Sequence, residues 1–422
     1  MGSGGQDRGD AVRFRWGRWL LLAIAAVGCV ISGLSCYLEN IPGGVDTAVY
    51  RAGAETLLHG RSLYDSDILP FTPEYARLPF TYSPFAALVF VPLVAIPEQL
   101  GWALLNVGSV LAVVLVAYVV LRRSPRRPSW LQPGWGAVLL GLALLGLQPV
   151  WTTLGYGQIN AVLMALIVLD LLVVCGATGR GRHAGGVLVG LAAATKLTPL
   201  IFVVHLALIG RRVDAARAAA TFLVSQGLML LLIPHDTVRF WTHTVFDSSR
   251  IGPTALVWNQ SLGAVVRRLT GDASWSQYAG YGIGAVLAVG AVVLVRRYHR
   301  QGRPVHALLV TGYLALLVSP VSWVHHWVWA VPLVVLLVIE AASGDRAARW
   351  LLPVTLVVFV LRPMHVPVSA LNPLTFVLSN TYVLFPVLLG LFLLVRGKRG
   401  HTPPGEPHLE RQPVSPALTA AR

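Results

Sequence analysis

The sequence predicts an all-α, polytopic membrane protein with about ten full spans plus two shorter apolar excursions, interfacial or re-entrant. Three observations carry that reading. Of 422 residues, 55% are hydrophobic and only 12% are charged, about half the usual quarter for a globular chain. Too few polar groups remain to cover a surface in water, which excludes a soluble enzyme, a disordered polar chain and a disulfide scaffold. The balance of 33 Lys+Arg against 18 Asp+Glu gives a formal charge of +15, which in a soluble domain would point to nucleic acid. Here the cations fall in short clusters between apolar runs, at 13–18, 122–127, 180–182, 211–217, 296–303, 346–349 and 396–399. That is the positive-inside pattern of a polytopic membrane protein, so the partner is the lipid bilayer and not nucleic acid. The three cysteines, Cys29, Cys36 and Cys175, lie in or beside apolar stretches and form neither a disulfide framework nor a zinc set.

The basic clusters serve as fixed cytoplasmic points, and an even number of crossings separates each pair. Residues 1–18 form a basic cytoplasmic N-terminus. Residues 19–38 are a 20-residue apolar run, longer than a secretory h-region and lacking an A-x-A-like site, and read as a retained first helix. The run 85–96 has 12 residues between Pro84 and Pro97, too few for a hydrocarbon core of roughly 30 Å. If it spanned, the arginines at 122–127 would lie outside, so it is expected to be interfacial or re-entrant, with 102–121 as the return crossing. Residues 136–150 lead out and 159–175 lead back. The run 187–209 joins two basic loops and carries Lys196-Leu197-Thr198-Pro199 at its middle. It is expected to be a re-entrant hairpin of two short helices, a backbone break tolerated at that depth only beside protein or a water cavity. Crossings at 218–234, 278–296, 306–319, 326–341, 348–362 and 375–395 complete the count. Residues 396–422, basic and then rich in proline and polar residues, are expected to be a disordered cytoplasmic tail.

This topology sorts the polar residues by face. The first outer loop, 39–84, holds six of the 18 acids. Asp46, in Gly43-Gly44-Val45-Asp46, follows the first helix closely at the outer surface. It is either an N-cap for the helical stretch after it or a carboxylate available to take a proton. Lys196 lies near the middle of its apolar run, and the chain's other lysine is Lys398. A buried ammonium needs a partner; a phosphate is a natural one, and snorkelling is the alternative. Ser319-Pro320-Val321-Ser322-Trp323-Val324-His325-His326-Trp327 is a further outer constellation. Adjacent histidines point to different helix faces, so one lines a cavity while the other packs. A zinc site would need a third ligand such as His365 or Asp46, and no H-E-x-x-H spacing is present; no metal or other cofactor is expected. Trp323, Trp327 and Trp329 also suit an interfacial belt. Gln158 and Asn160 occupy the outer turn Gly157-Gln158-Ile159-Asn160, and Trp258-Asn259-Gln260-Ser261 precedes Arg267 and Arg268; an ordinary helix-capping loop is the alternative for the latter segment.

Taken in order, Gly44-Val45-Asp46-x3-Tyr50-Arg51, Tyr82-Ser83-Pro84, Gly157-Gln158-Ile159-Asn160, Ala194-Thr195-Lys196-Leu197-Thr198-Pro199, Asn259-Gln260-Ser261-Leu262 and Ser319-Pro320-Val321-Ser322-Trp323-x-His325-His326 resemble glycosyltransferase family 87, of the polytopic GT-C superfamily. The likeness runs from about residue 40 to 330, and hydropathy extends it to 395, so that 19–395 form one GT-C-like domain. It implies enzymes that take a sugar from a polyprenyl-phosphate donor outside the plasma membrane. The nearer likeness is to the α-(1→2)-mannosyltransferases of phosphatidylinositol mannoside and lipomannan assembly, which use polyprenyl-phosphate mannose and a glycolipid acceptor. Arabinofuranosyltransferases of the same family are the alternative. The resemblance makes Asp46 the catalytic carboxylate. At that position Asp46 stands alone, with Ala48 rather than a second Asp two residues on, which shifts the leaving phosphate from a metal ion to cationic side chains: Lys196 first, then His325, His326 and Arg267, with Gln158 and Asn160 beside the donor sugar. Tyr50, Arg51, Tyr82, Trp323, Asn259 and Gln260 are the candidates for acceptor and sugar contacts. A transporter would instead show paired polar residues at midplane in two similar halves; a flippase of lipid-linked sugars would make no new glycoside.

Overall fold

The computed structural model describes residues 4–176, 179–362 and 372–398. The expected disordered tail, from residue 399 onward, and His365 lie outside the described residues. Among the described residues every regular element is helical, and Asn259 and Trp323 add one isolated antiparallel bridge. Five helices are long and apolar enough to cross a membrane, or seven when two bent pairs are each taken as one span.

α1 (Gly4–Leu38) contains the first expected span as its apolar part, Gly17–Leu38, in which only Gly33 is buried. It leans on α4 (Glu98–Arg123), where Gly33 lets its backbone meet Ala103 and the Gln99 carbonyl. Most residues of α4's apolar stretch and of Val324–Ala342 are buried. These two are central, whereas α1 leaves Ile24, Ile31 and Leu34 uncovered, as a lipid-facing helix does. Between α1 and α4 lie α2 (Val45–Leu58) and α3 (Pro84–Val89), the latter continued by a 3₁₀ turn at Val91–Ala95. The 12-residue excursion expected at 85–96 is thus a short broken helix, and it packs beneath α2.

α5 (Pro133–Ala143) runs back along α4, with Gly136 beside Leu121 and Gly141 beside Val114. The crossing read as 136–150 does not stay straight. A 3₁₀ turn at Leu144–Gly146 leads into α6 (Gln148–Tyr156) through a 77° bend. Pro149, in the first turn of α6, explains the break: its missing N–H costs nothing there and its fixed φ begins a new helix. α7 (Asn160–Leu169) returns and widens into a π turn at Asp170–Val174.

The lysine-bearing run divides as expected. α8 (Val187–Thr195) stops, Lys196 takes an extended backbone, and a 3₁₀ turn at Thr198–Leu200 opens α9 (Ile201–Leu208). α10 (Arg212–Leu232) shows its direction. Gly186 abuts Asp214, Gly190 abuts Ala218 and Thr221, and Gln226 Nε2 donates to the Ala194 carbonyl, so α8 rises parallel to α10. α9 then returns to the start of α10 within three residues, so both ends of the run lie together. Asp170 anchors this base: its carboxylate, fully buried, accepts the Gly186 and Val189 amides, each at 2.8 Å, and caps α8.

The rest of the bundle follows: α11 (Pro234–Thr242), α12 (Leu262–Thr270), α13 (Ser276–Arg300), α14 (Pro304–Val318), α15 (Ala330–Ala342) after a 3₁₀ stretch at Val324–Trp329, and α16 (Arg346–Val360). α17 (Pro373–Ser379) and α18 (Thr381–Lys398) form the second bent pair, at 85°. The basic loops gather at one end. Ser343 Oγ donates to the Arg126 carbonyl, Gly176 lies beside the Arg123 guanidinium, and Arg303 and His306 both hold Glu340. Asp46, Gln158, Lys196 and the two histidines collect elsewhere, toward the opposite ends of α4, α7 and α8.

Candidate active site

Asp46 stands in the first turn of α2, whose N-cap, Gly44, offers no side chain. Its carboxylate lies beside the Gln158 side chain and within the field of the Lys196 charge, both of which favour its ionised form. The capping reading therefore does not describe it. Burial pushes its pKa up to about 6, against the opposing pull of Gln158 and Lys196. A carboxylate so placed is charged at neutral pH yet basic enough to take a proton.

Close backbone approach brings Asp46 to Gln158. A Cβ on Gly44 would strike Trp102 and the Tyr156 carbonyl, and one on Gly157 would strike Thr47. Gly157 also has φ +67°, the left-handed conformation that ends α6. Thr47 Oγ1 donates to the Gly157 carbonyl (3.2 Å), and the Trp102 indole donates to the Leu154 carbonyl (2.8 Å). Sequence reasoning missed Thr47 and Trp102 as site-building residues. The signal was in the glycines, which need close neighbours.

Gln158 is held by two tyrosines. Its Oε1 accepts the Tyr50 hydroxyl at 2.7 Å and the Tyr82 hydroxyl at 3.2 Å, and the two hydroxyls lie 2.8 Å apart. Tyr50 is fully buried and stacks on Phe90 at 4.1 Å. Both tyrosines, expected at acceptor or sugar contacts, are thus part of the frame around Asp46.

Lys196 Nζ donates to Asn160 Oδ1 (2.9 Å), meets His326 Nε2 (3.1 Å) and lies 5.3 Å from the Tyr82 ring. Ser83, next to Tyr82, donates its hydroxyl to the Ala194 carbonyl and ties that segment to the end of α8. An ammonium has three N–H donors; two are engaged by Asn160 and His326, which leaves one for an anion. His326 faces this cluster and His325 turns away. The His325 backbone carbonyl accepts Asn160 Nδ2 (3.1 Å) and Thr153 Oγ1 (3.3 Å), and its ring sets edge-on to Tyr156. The two imidazoles touch edge-on, their centroids 4.7 Å apart and their planes at 80°. A narrow cleft opens below Lys196, Asn160 and His326, lined by Leu163, Met164, Phe202 and Trp329.

Other candidates lie in other settings. Asn259 and Gln260 are fully buried and bond backbone. Asn259 Oδ1 accepts the Ser322 amide (2.8 Å) and Gln260 Nε2 donates to Val257 and Ser379 carbonyls. They pin the 319–323 segment and so carry His325 and His326 into position. Trp323 is half-buried beside Asn259. Arg267 pairs with Asp272 (2.6 Å) and Arg51 with Glu55 (3.1 Å); neither shows a contact with Lys196 or Asp46. Among the described residues no three His, Cys, Asp or Glu side chains are grouped to hold a metal.

Comparison with known proteins places this arrangement. Residues 80–320 match the family model of glycosyltransferase family 87. A polyprenol-phosphate-mannose-dependent alpha-(1-2)-phosphatidylinositol mannoside mannosyltransferase of Mycobacterium tuberculosis is 33% identical over 336 residues, covering 77% of this chain and 76% of its own. Its namesake in Mycolicibacterium smegmatis is 31% identical over 82% of this chain and 80% of its own. An alpha-(1-2)-phosphatidylinositol pentamannoside mannosyltransferase of M. smegmatis, also polyprenol-phosphate-mannose-dependent, is 35% identical over 73% of each. No solved structure matches. With more than half its length inside the family model and relatives above 30% identity along most of both chains, this protein belongs to glycosyltransferase family 87.

Proposed function

We propose that this glycosyltransferase moves mannose from polyprenyl-phosphate mannose to a phosphatidylinositol-mannoside-type glycolipid, with inversion to an α-(1→2) linkage. The observation that carries the chemistry is the pairing of a carboxylate with a cation across one small frame. Asp46 meets Gln158, and Lys196 meets Asn160, two residues farther along the same turn. The choice of mannose and of acceptor rests on the names of the relatives.

The residues supply both ends of a single displacement. The acceptor hydroxyl lies against Asp46, which takes its proton as the new C–O bond forms. The anomeric carbon loses its bond to the phosphate oxygen, and polyprenyl phosphate departs with the electron pair. Lys196 offers its remaining N–H to that oxygen as charge develops, in a recess where water competes poorly. His326 and Asn160 hold the ammonium in place. No metal ion takes part in this proposal. The cleft lined by Met164, Phe202 and Trp329 is where the first units of the donor's lipid tail would lie.

The same reading places ten spans across the plasma membrane, the basic loops inside and Asp46 outside. The gathering of basic loops at one end and the return of α9 to the base of α8 support it. The test is direct. Purified protein is incubated with polyprenyl-phosphate [14C]mannose and phosphatidylinositol mannosides, and the product is analysed by mass and linkage. A mannolipid one hexose heavier, with a new α-(1→2) bond, is expected. Incorporation from polyprenyl-phosphate arabinofuranose alone, or no product from either donor, would overturn the assignment.

A further inference from the structure

We infer that Gln158 is a positioning residue for Asp46, its side-chain amide locked by the hydroxyls of Tyr50 and Tyr82 so that the NH2 end faces the carboxylate. The inference rests on the reading of Asp46 as the base.

Three observations support it. First, the two hydroxyls converge on a single atom, Oε1, at 2.7 and 3.2 Å. A side-chain amide turned end for end would set its oxygen against the Asp46 carboxylate and its NH2 against two O–H groups. A hydroxyl accepts as well as donates, so it is the oxygen facing the carboxylate that disfavours the turned amide, and the two hydroxyls then hold the favoured orientation through Oε1. Second, the frame is rigid. Tyr50 and Gln158 are 0% and 3% exposed, Tyr50 stacks on Phe90, and the Gln158 backbone amide donates to the Thr153 carbonyl at 2.9 Å. Third, Tyr82 touches both halves of the site: its hydroxyl reaches Gln158 and its ring lies beneath the Lys196 ammonium. The base and the phosphate-facing cation therefore share one tyrosine, and neither can shift far without it.

The groups facing Asp46 from each neighbouring element are few. Lys196 stands at the end of α8, with His326 beyond it, Tyr82 before α3, Tyr156 on α6, and Tyr50 on α2 itself. Glu98 of α4 holds the Gly43 amide and lies near Arg51, which pairs with Glu55; Glu74 pairs with Arg77. An N–H aimed at a carboxylate favours its charged form, so Gln158 and Lys196 keep Asp46 ionised against burial.

The test reads the pH dependence of kcat/KM. Activity needs ionised Asp46, so the rate falls as pH drops through its pKa. Gln158→Leu removes the donor at similar volume, and the acid limb is expected to move to higher pH by about one pH unit. The Tyr50→Phe/Tyr82→Phe double variant releases the amide and is expected to move the limb in the same direction. A uniform loss at every pH, with the limb unmoved in both variants, would overturn the inference and leave Gln158 a packing residue. Asp46→Asn separates this failure from the other. If that variant turns over normally, the base reading itself is wrong; if it is inactive while the Gln158→Leu limb stays put, only the positioning role falls. Should Gln158→Leu fail to fold, the double variant, which keeps every ring, decides alone.

Discussion

Replacing Asp46 with Asn separates chemistry from folding, because the two effects have opposite signs. The amide keeps the size and one acceptor oxygen but cannot take a proton. General-base assistance contributes about 10²–10⁴-fold, or roughly 3–5 kcal/mol of barrier, so kcat should fall by at least two orders of magnitude. Stability should rise. Burial lifts the carboxyl from 3.8 to about 6, so the folded protein binds that proton more tightly than the unfolded chain. The stabilisation this gives is complete below pH 3.8 and is lost as pH rises through 6. At pH 7.5 the wild type therefore holds a charge it would fold better without. Two pH units at about 1.4 kcal/mol each, reduced for partial hydration of a half-buried group, give a cost on the order of 1–3 kcal/mol. Asn removes that cost and gives up a favourable helix-dipole contact of roughly 0.3–1 kcal/mol. The assay pairs mannosyl transfer with thermal unfolding in detergent, each from pH 5 to 8. Expected are a nearly inactive variant, a melting temperature above wild type at pH 7.5, and convergence of the two toward pH 5. Normal turnover would refute the base; a lower melting temperature at pH 7.5 would refute the account of its environment.

Lys196→Met should lower kcat by about 10²–10³-fold, the usual cost of one stabilising donor, and weaken donor binding in a direct titration. Gly157→Ala should destabilise the protein and lower activity, because it strains a positive φ and drives Thr47 off the turn; thermal unfolding and kcat report both. A cysteine at exposed Asp65 should react with an impermeant maleimide in intact cells, and one at exposed Arg126 should react only after lysis. Transfer should persist in excess EDTA, since the proposed mechanism sets cationic side chains and no metal at the departing phosphate; loss restored by Mg²⁺ or Mn²⁺ would overturn the metal-free proposal.

Much of the architecture was legible because hydropathy and charge act locally. The first helix, the short excursion after Pro84, and the break at Lys196 all followed from run length and from proline. The bend before α6 was missed although Pro149 marked it, since an apolar run hides a change of direction as long as both arms stay apolar. The site was legible as a set of residue types and not as a set of partners. Asp46 lies 112 positions from Gln158, and nothing local states that Tyr50 will spend its hydroxyl on that amide. Nor could spacing say which of His325 and His326 meets Lys196, because a 3₁₀ stretch rather than an α-helix carries them. Asn259 and Gln260 looked like ligand contacts for the same reason that they hold loops together: both tasks need buried amides.

The anchoring of α8 at Asp170 bears on how the enzyme responds to its lipid environment. Nine residues at 1.5 Å each place Lys196 roughly 13 Å above that anchor, a height counted in peptide units and not set by the surrounding membrane. Asn160 on α7 and Gln158 just before it belong to the same block of packed helices, and α2 rests on that block through Gly44 and Gly157. A thicker or thinner bilayer therefore leaves the spacing between Asp46 and Lys196 alone. What changes is how far the donor's headgroup stands from the recess, so membrane thickness should act on KM for the lipid donor and spare kcat.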